Sequence, residues 1–453
     1  MTNWPRQALF WLVRADESPP ERSEQSIQEE VNRNFRWNLA VNFLDGAFLW
    51  IGLSFISYTT ILPLFISKIT TNPFPIALMA VIGQSSWYLP QLFVAGPTEK
   101  LARKKPVVVN LGFFIERLPI WFMPIAALMS VKYPLLALVI FFLSYAAQGM
   151  GAGIIAPAWS DMIARIFPVN RRGRFFGITA FVGTGFGALA ALFSGWLLKT
   201  FPFPTNFAYA FFLAALAINL SWVFLALTRE PAQPLSPEIQ RQRAWSWRKI
   251  TGILRRDKNF RHYLFVRLLA SFGNMAAGFI TVAAIQRWSV PDATVGLYTA
   301  ALLVGQTTGN LAAGFIADRV GHKRSLQVGL SGVVAAYLLA WLSPAPIWFN
   351  VVFFLVGMAT GIAIVSGVLI NMEFSRPERR PTYVGIANTT MGIGSVASPL
   401  VGGLLALWGY NLLFAVSAMF GLAALLMLVT LVQEPRTMTR KFGNSEPSRP
   451  ENR

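Results

Sequence analysis

The sequence predicts an all-α polytopic membrane protein, twelve spans arranged as two six-helix halves, and three observations carry that prediction. Of 453 residues, 54% are hydrophobic and 13% charged, which does not suit a soluble protein with a polar surface. The apolar residues come in blocks of about twenty, the length a helix needs to cross a hydrocarbon core about 30 Å thick. The connections between blocks are alternately rich and poor in Lys and Arg, and four short motifs recur in the same order in both halves. A soluble helical protein would instead show polar faces at helical period.

The spans fall at roughly 38 to 65, 73 to 95, 106 to 130, 134 to 158, 175 to 198 and 207 to 228 in the first half. Those of the second half fall at 262 to 286, 294 to 317, 325 to 343, 346 to 371, 384 to 407 and 410 to 432. Span 1 carries Asn38, Asn42 and Asp45, span 2 Gln84 and Gln91, span 3 the adjacent pair Glu116 and Arg117, and span 4 Gln148. Span 7 carries Arg267, Ser271, Asn274 and Gly278, span 8 Gln306 and Asn310, span 10 Asn371 near its end, and span 11 Asn388. The domains follow as an N-terminal segment (1 to 37), a first bundle (38 to 228), a linker (229 to 261), a second bundle (262 to 432) and a tail (433 to 453).

A net charge of +19 would suggest nucleic acid if it lay on one soluble face. Here 33 of the 39 Lys and Arg residues lie on the termini and alternate connections, and only Lys68, Lys132, Lys199 and Arg287 lie on the others. That asymmetry is the positive-inside signature, with both termini cytoplasmic, so nucleic acid is not needed to explain the charge. The chain has no cysteine, hence neither disulfides nor thiol metal sites. The N-terminal apolar run is too short, and lacks the cleavage site, for a signal peptide; it either lies along the membrane surface or is disordered, and disorder is preferred. The tail RKFGNSEPSRPENR reads as solvated and flexible.

The repeat is read from pairs of motifs. NFRWNLAVNFLDG from Asn34 matches NFRHYLFVRLLAS from Asn259, and AGPTEKLARKK from Ala95 matches GFIADRVGHKR from Gly314. NRRGRFFG from Asn170 matches ERRPTYVG from Glu378, and TREP from Thr228 matches VQEP from Val432. Six spans per half is an even number, so the halves enter from the same side and are related by an axis along the membrane normal. On the first of these matches Arg267 falls on Asn42. The linker stretch QRQRAWSWRKI reads equally as an amphipathic surface helix or a plain connection.

The run Gly314, Asp318, Arg319, Gly321, Lys323, Arg324 resembles the signature loop of the major facilitator superfamily, and the resemblance covers residues 34 to 435. The first-half copy is degenerate: Ala95 and Ala102 stand where the family has glycine, and Glu99 where it has aspartate. Glycine suits so tight a turn, and an acid and bases at helix ends can hold neighbouring ends through their partial charges. The resemblance implies the family's twelve-helix fold and a gating role for these turns. Glu99, Lys100, Arg103, Asp318, Arg319, Lys323 and Arg324 would latch the halves in the outward-facing state, with Asp161 and Glu373 as partner acids. It also implies that spans 1 and 7 line a central cavity. Span 11 holds GSVASPLVGG, similar to the glycine-proline motif of the family's antiporters, but the family carries that motif in span 5, which here lacks the proline.

Ionisable groups inside a membrane are costly enough to need a role. Asn38, Asn42 and Asp45 form one stripe at helical spacing, and Arg267, Ser271 and Asn274 another; they are expected to face each other across the cavity. An acid at the depth of Asp45 can exchange protons as access alternates, and the competing reading is a structural pair or gate with Arg267. Glu116 and Arg117, adjacent and so about 100° apart on an α-helix, are expected to leave at least one of the two seeking a separate partner, and to serve structure by pairing with a neighbouring helix. The amides Gln84, Gln91, Gln148, Gln306, Asn310 and Asn388 are candidate substrate contacts, although most such amides bond neighbouring helices.

Few charges and 14% aromatic residues point to a lipophilic or amphiphilic organic solute. The expected function is secondary transport by alternating access, coupled to protons, with antiport or efflux favoured. The alternative is a non-transporting protein of the same fold, a receptor or an assembly factor. An enzyme is not expected: there are two histidines, no thiol and no phosphate-cradling loop. No cofactor, metal or nucleic acid partner is expected. The partners are a small-molecule substrate, protons and the lipid bilayer, the protein being a monomer in the plasma (inner) membrane of a bacterium.

Overall fold

The structure, a computed structural model, describes residues 4–14, 22–91, 94, 97–98, 101–233, 247–374 and 380–435. These residues are helical almost throughout. The first half contains α1 (Trp4–Val13), α2 (Glu24–Phe55), α3 (Ile61–Ile69), α4 (Pro73–Ser85), α5 (Phe122–Met129), α6 (Pro134–Ile166), α7 (Val169–Thr200) and α8 (Thr205–Ala226). After α9 (Trp247–Arg256) the second half contains α10 (Lys258–Gly273), α11 (Ile280–Trp288), α12 (Thr294–Val320) and α13 (His322–Leu342). It ends with α14 (Trp348–Glu373), α15 (Arg380–Ala406) and α16 (Tyr410–Thr430). Ten passages are long and apolar enough to cross a membrane unaided. The other two expected spans are the second, whose helix α4 is short, and the seventh, which is broken between α10 and α11.

Three features depart from the expected spans. Span 1 does not begin at residue 38: α2 starts at Glu24, with the Ser23 hydroxyl accepting the amide of Ser26 as its cap. Both span 1, between Phe55 and Ile61, and span 7, between Gly273 and Ile280, unwind midway. Span 3 is wound partly as π-helix over Val107–Leu111 and Phe113–Arg117, so that Leu118 N–H reaches Phe113 O at 2.8 Å. Gly151 of α6 lies against this segment, where a Cβ would meet the backbone of Ile115 and Glu116. In the N-terminal segment, Trp4–Val13 is helical and docks on span 3, with Asn110 Nδ2 donating to Leu12 O at 2.9 Å. Part of the linker stretch QRQRAWSWRKI, the tail from residue 436 on, and Glu378 of the ERRPTYVG match lie outside the described residues.

The repeat is visible in the hydrogen bonding, with one correction of register. Asn38 accepts from Arg229 N and donates to Arg229 O, both at 2.9 Å. Asn259 makes the same two bonds to Gln433, at 2.8 and 3.0 Å. Arg229 and Gln433 are equivalent in the TREP and VQEP motifs, so Asn259 corresponds to Asn38 rather than Asn34. The NFRW and NFRH match is therefore displaced by one helical turn. A slip of four residues keeps nearly the same helix face, which is why the sequence tolerates it. Under the corrected register Arg267 falls on Gly46 and not on Asn42, and the breaks in spans 1 and 7 overlap.

The apolar core separates the two ends of the molecule. At the end away from the basic turns one cluster runs through both halves, from Phe55, Phe65 and Phe211 to Tyr298, Tyr337 and Phe353. Phe65 sits at its centre on the first-half side, with the rings of Phe141, Phe207 and Phe211 at 5.1–5.4 Å. At the basic end the core splits into a cluster confined to the second half around Phe260, Tyr263 and Ile370. A separate one lies in the first half around Ile155, Met162 and Phe167.

Candidate functional site

The bonds between the halves follow the same division. At the far end Lys68 pairs with Asp292 at 2.8 Å, and Thr299 Oγ1 donates to Thr60 Oγ1 at 2.7 Å. Thr281 Oγ1 donates to the Thr59 carbonyl at 2.8 Å, a carbonyl freed by the break in span 1. Gly195 of α7 and Gly296 of α12 meet backbone to backbone, a Cβ on Gly296 coming 2.7 Å from Ala191 O. Midway along the same two helices the Thr184 and Thr307 hydroxyls bond each other. Nearer the basic end the helices part: a Cβ on Gly177 or Gly314 would touch nothing within 4 Å. At the basic end the pairs Lys104–Asp161, Arg165–Asp161, Arg165–Glu230 and His322–Glu373 each stay within one half. An apolar pocket of about 370 Å³ opens between the end of span 2 and α15, lined by Tyr88, Leu89, Asn388 and Gly392 among others.

Each basic turn is closed by an acid from its own half, Glu230 in the first and Glu434 in the second. Gly321 has φ +94°, the left-handed region glycine tolerates, and the Glu434 carboxylate occupies the space a Cβ would take. Lys323 N–H donates to Glu434 at 3.1 Å. In the first half Glu230 accepts from the amides of Lys104 at 2.9 Å and Lys105 at 2.7 Å. Burial pushes the Glu230 carboxyl up, and those two amides pull it down. Asp161 pairs with Arg165 at 3.0 Å and Lys104 at 3.4 Å, and Glu373 with His322 at 3.6 Å. Asp161 and Glu373 thus do sit at the turns, while Asp318 and Arg319 are exposed. Glu99 and Lys100 lie outside the described residues. Glu230 and Glu434 were visible in the sequence only as the shared acid of TREP and VQEP; their role needed the fold.

The two expected stripes do not face each other. Asn42 and Asp45 turn inward toward α8, where Asn42 Nδ2 donates to Thr228 Oγ1 at 3.1 Å and Asp45 accepts from Ser221 Oγ at 2.6 Å. The charge within reach of Asp45 is that of Arg117, and Arg117 also pairs with Glu116 at 3.2 Å. Adjacent residues point about 100° apart on an α-helix, so at least one was expected to find its partner on a neighbouring helix. The wider π winding brings the two side chains closer in angle, so they pair with each other. The result is a buried cluster of two carboxylates and one guanidinium inside the first half.

The other candidates are dispersed over spans 2 and 4 and the second half. Arg267 is half-buried and reaches from α10 to α14, its guanidinium nitrogen 2.9 Å from where a Gly367 Cβ would be. Asn274 accepts from Tyr337 Oη at 2.9 Å, and Gln91 donates to its own turn at Trp87 O. Gln306 and Asn310 lie on α12 against Gly361 of α14. Gln148 is buried on α6. Gln84 Nε2 and Asn310 Oδ1 are buried without a hydrogen-bond partner. Asn388 lines the pocket between the halves.

The family profile described as "Major Facilitator Superfamily" matches residues 111–290 and 263–451. The chain is similar to a gallate transporter of Pseudomonas putida, 28% identical over 172 residues, which cover 37% of each chain. It thus spans a little over a third of that relative's length. It is also similar to the proton-coupled antiporter flippase LtaA of Staphylococcus aureus (strain MSSA476), 22% identical over 303 residues, covering 64% of this chain and 70% of that one. Among solved structures it resembles a D-xylose-proton symporter, with a TM-score of 0.63, 15% identity, and coverage of 88% of this chain and 98% of that chain. It also resembles a bacterial homolog of the human lysosomal transporter Spinster in an inward-facing, unoccupied conformation, with a TM-score of 0.59 and 15% identity over 91% of this chain and 98% of that one.

Proposed function

The chain belongs to the major facilitator superfamily, a family of transporters and not enzymes, and from that membership we propose how it works. It carries a small lipophilic or amphiphilic organic solute across the membrane by alternating access, coupled to protons, with antiport or efflux the favoured direction. The basic end is cytoplasmic, and the conformation described here is inward-facing. The observation that carries this reading is the division of the core: continuous between the halves at the far end, separate in each half at the basic end.

The first-half cluster of Asp45, Glu116 and Arg117 is the coupling site. Two carboxylates against one guanidinium leave one acid to hold a proton in so buried a place, and helix movement between states can change which side that proton reaches. The similarity to a proton-coupled antiporter flippase and to a D-xylose-proton symporter supports the coupling. The test is proteoliposome transport of a labelled amphiphile panel with an imposed pH gradient. Gradient-dependent flux is expected; equal flux with and without the gradient refutes proton coupling, and no flux of any solute refutes the carrier reading.

A further inference from the structure

The polar groups of the second half have a different character from those of the first, and they converge between α10 and α14. Side chains of the two helices meet between them. On α10 Tyr263 and Arg267 are four residues apart and share a face; on α14 Gly367 and Asn371, with Phe374 just past its end, share the opposing face. Phe374 packs on the Tyr263 ring with centroids 5.0 Å apart, and the Arg267 guanidinium lies against Gly367. Tyr263 is fully buried and Asn371 is 4% exposed, yet Tyr263 Oη and Asn371 Oδ1 have no hydrogen-bond partner. Arg267 is within electrostatic reach of Tyr263, and among the described residues no carboxylate pairs with it.

A guanidinium inside a membrane protein without a counter-charge is costly, and so is each buried polar atom left unbonded. Inside the first half the guanidinium of Arg117 lies with two acids; among the described residues Arg267 has no carboxylate paired with it. An anion would supply the counter-charge, and a carboxylate is the anion whose two oxygens match these donors. Guanidinium forks bind carboxylates through two parallel N–H donors, the Tyr263 hydroxyl supplies a third donor, and Asn371 can donate through its amide nitrogen once a ligand settles its orientation. Gly367 leaves room for the fork, since any side chain there would displace it. Along α10 the next turn, at Ser271, packs on Gly394 of α15, and α15 lines the apolar pocket of about 370 Å³. An acid group at Arg267 would thus have apolar wall within a turn of it.

We propose that Arg267, Tyr263 and Asn371 form the anion subsite of the substrate path, and that the solute is a monocarboxylic acid with an apolar body. This deepens the transporter reading and rests on it for the word substrate, but binding is testable without transport. The full chain in detergent would be melted in the presence of matched pairs, benzoate against benzamide and octanoate against octanol. Acids should raise the melting temperature and their neutral partners should not. Arg267→Gln should abolish the acid selectivity, and Tyr263→Phe should weaken acid affinity by about tenfold while leaving folding intact, so the proposal stays testable if Arg267→Gln does not fold. No stabilisation by either acid, equal stabilisation by acid and neutral partner, or selectivity surviving Arg267→Gln overturns the proposal. A parallel arm with phosphatidylglycerol in mixed micelles covers the other source of an anion: stabilisation by that lipid alone would assign Arg267 to a headgroup and overturn the substrate subsite. Acid binding without flux in liposomes would leave the subsite standing and remove the carrier.

Discussion

Gly296→Ala should push the protein out of the conformation described here. The added Cβ would sit 2.7 Å from Ala191 O and from Gly195 N, against an ordinary contact of about 3.5 Å or more. Both neighbours are backbone of α7, so no rotamer can yield and the helices must separate by roughly 1 Å. Forced overpacking of this kind costs about 1–3 kcal/mol. Alanine also favours the helix by up to about 1 kcal/mol over glycine, but in every conformation alike, so that gain drops out of the ratio. The state in which α7 and α12 part at the far end is relieved of the clash, and its population relative to the closed state should rise by about fivefold to hundredfold. Because the chain has no cysteine, spin labels can be placed cleanly at Lys199 and Leu342, exposed ends of the two halves, and their distance distribution measured by double electron–electron resonance. A longer-distance population should grow in Gly296→Ala and not in Gly314→Ala, where a Cβ meets nothing. Identical distributions for wild type and Gly296→Ala would refute the reasoning.

Three further outcomes are expected. Asp318→Asn should leave the present conformation unchanged, since Asp318 is exposed, and weaken the opposite one, reducing far-side accessibility of engineered cysteines; unchanged accessibility would count against a latch. Asp45→Asn should abolish gradient-driven flux and keep exchange at equal pH, since the Ser221 bond can be retained; full gradient-driven flux in the variant would remove Asp45 from coupling. Glu230→Gln should destabilise the protein by about 1.5–3 kcal/mol through its charged bonds to the Lys104 and Lys105 amides; an unchanged melting temperature would show that the turn does not depend on the charge.

The turn around Gly321 could be read from sequence because a positive φ and an adjacent helix end leave a local mark in residue type. The membrane spans were equally legible, since composition over twenty residues decides them. The register between Asn34 and Asn259 was misread by a turn, because helical periodicity hardly penalises a four-residue slip and only the bonds to Arg229 and Gln433 fix it. The pairing of Glu116 with Arg117 was hidden by the π winding of span 3, which has no compositional signature. The partner of Asp45 was illegible for another reason: spans 1, 3 and 6 meet through tertiary packing, and no spacing within one span points to its neighbour. Arg267 was found as a rare intramembrane cation, but its lack of a counter-charge is a property of the surroundings alone.

The early start of α2 has a mechanical consequence. Its first fourteen residues continue the first membrane crossing as one uninterrupted rod, about 21 Å long at 1.5 Å per residue, braced near its base where Phe35 meets Phe167 at 6.0 Å. A rod rigidly joined to a tilting body acts as a pointer. A tilt of about 10° would sweep its tip by roughly 4 Å more than its base, so a fluorophore at Glu24 would magnify strokes too small to resolve at the bilayer itself.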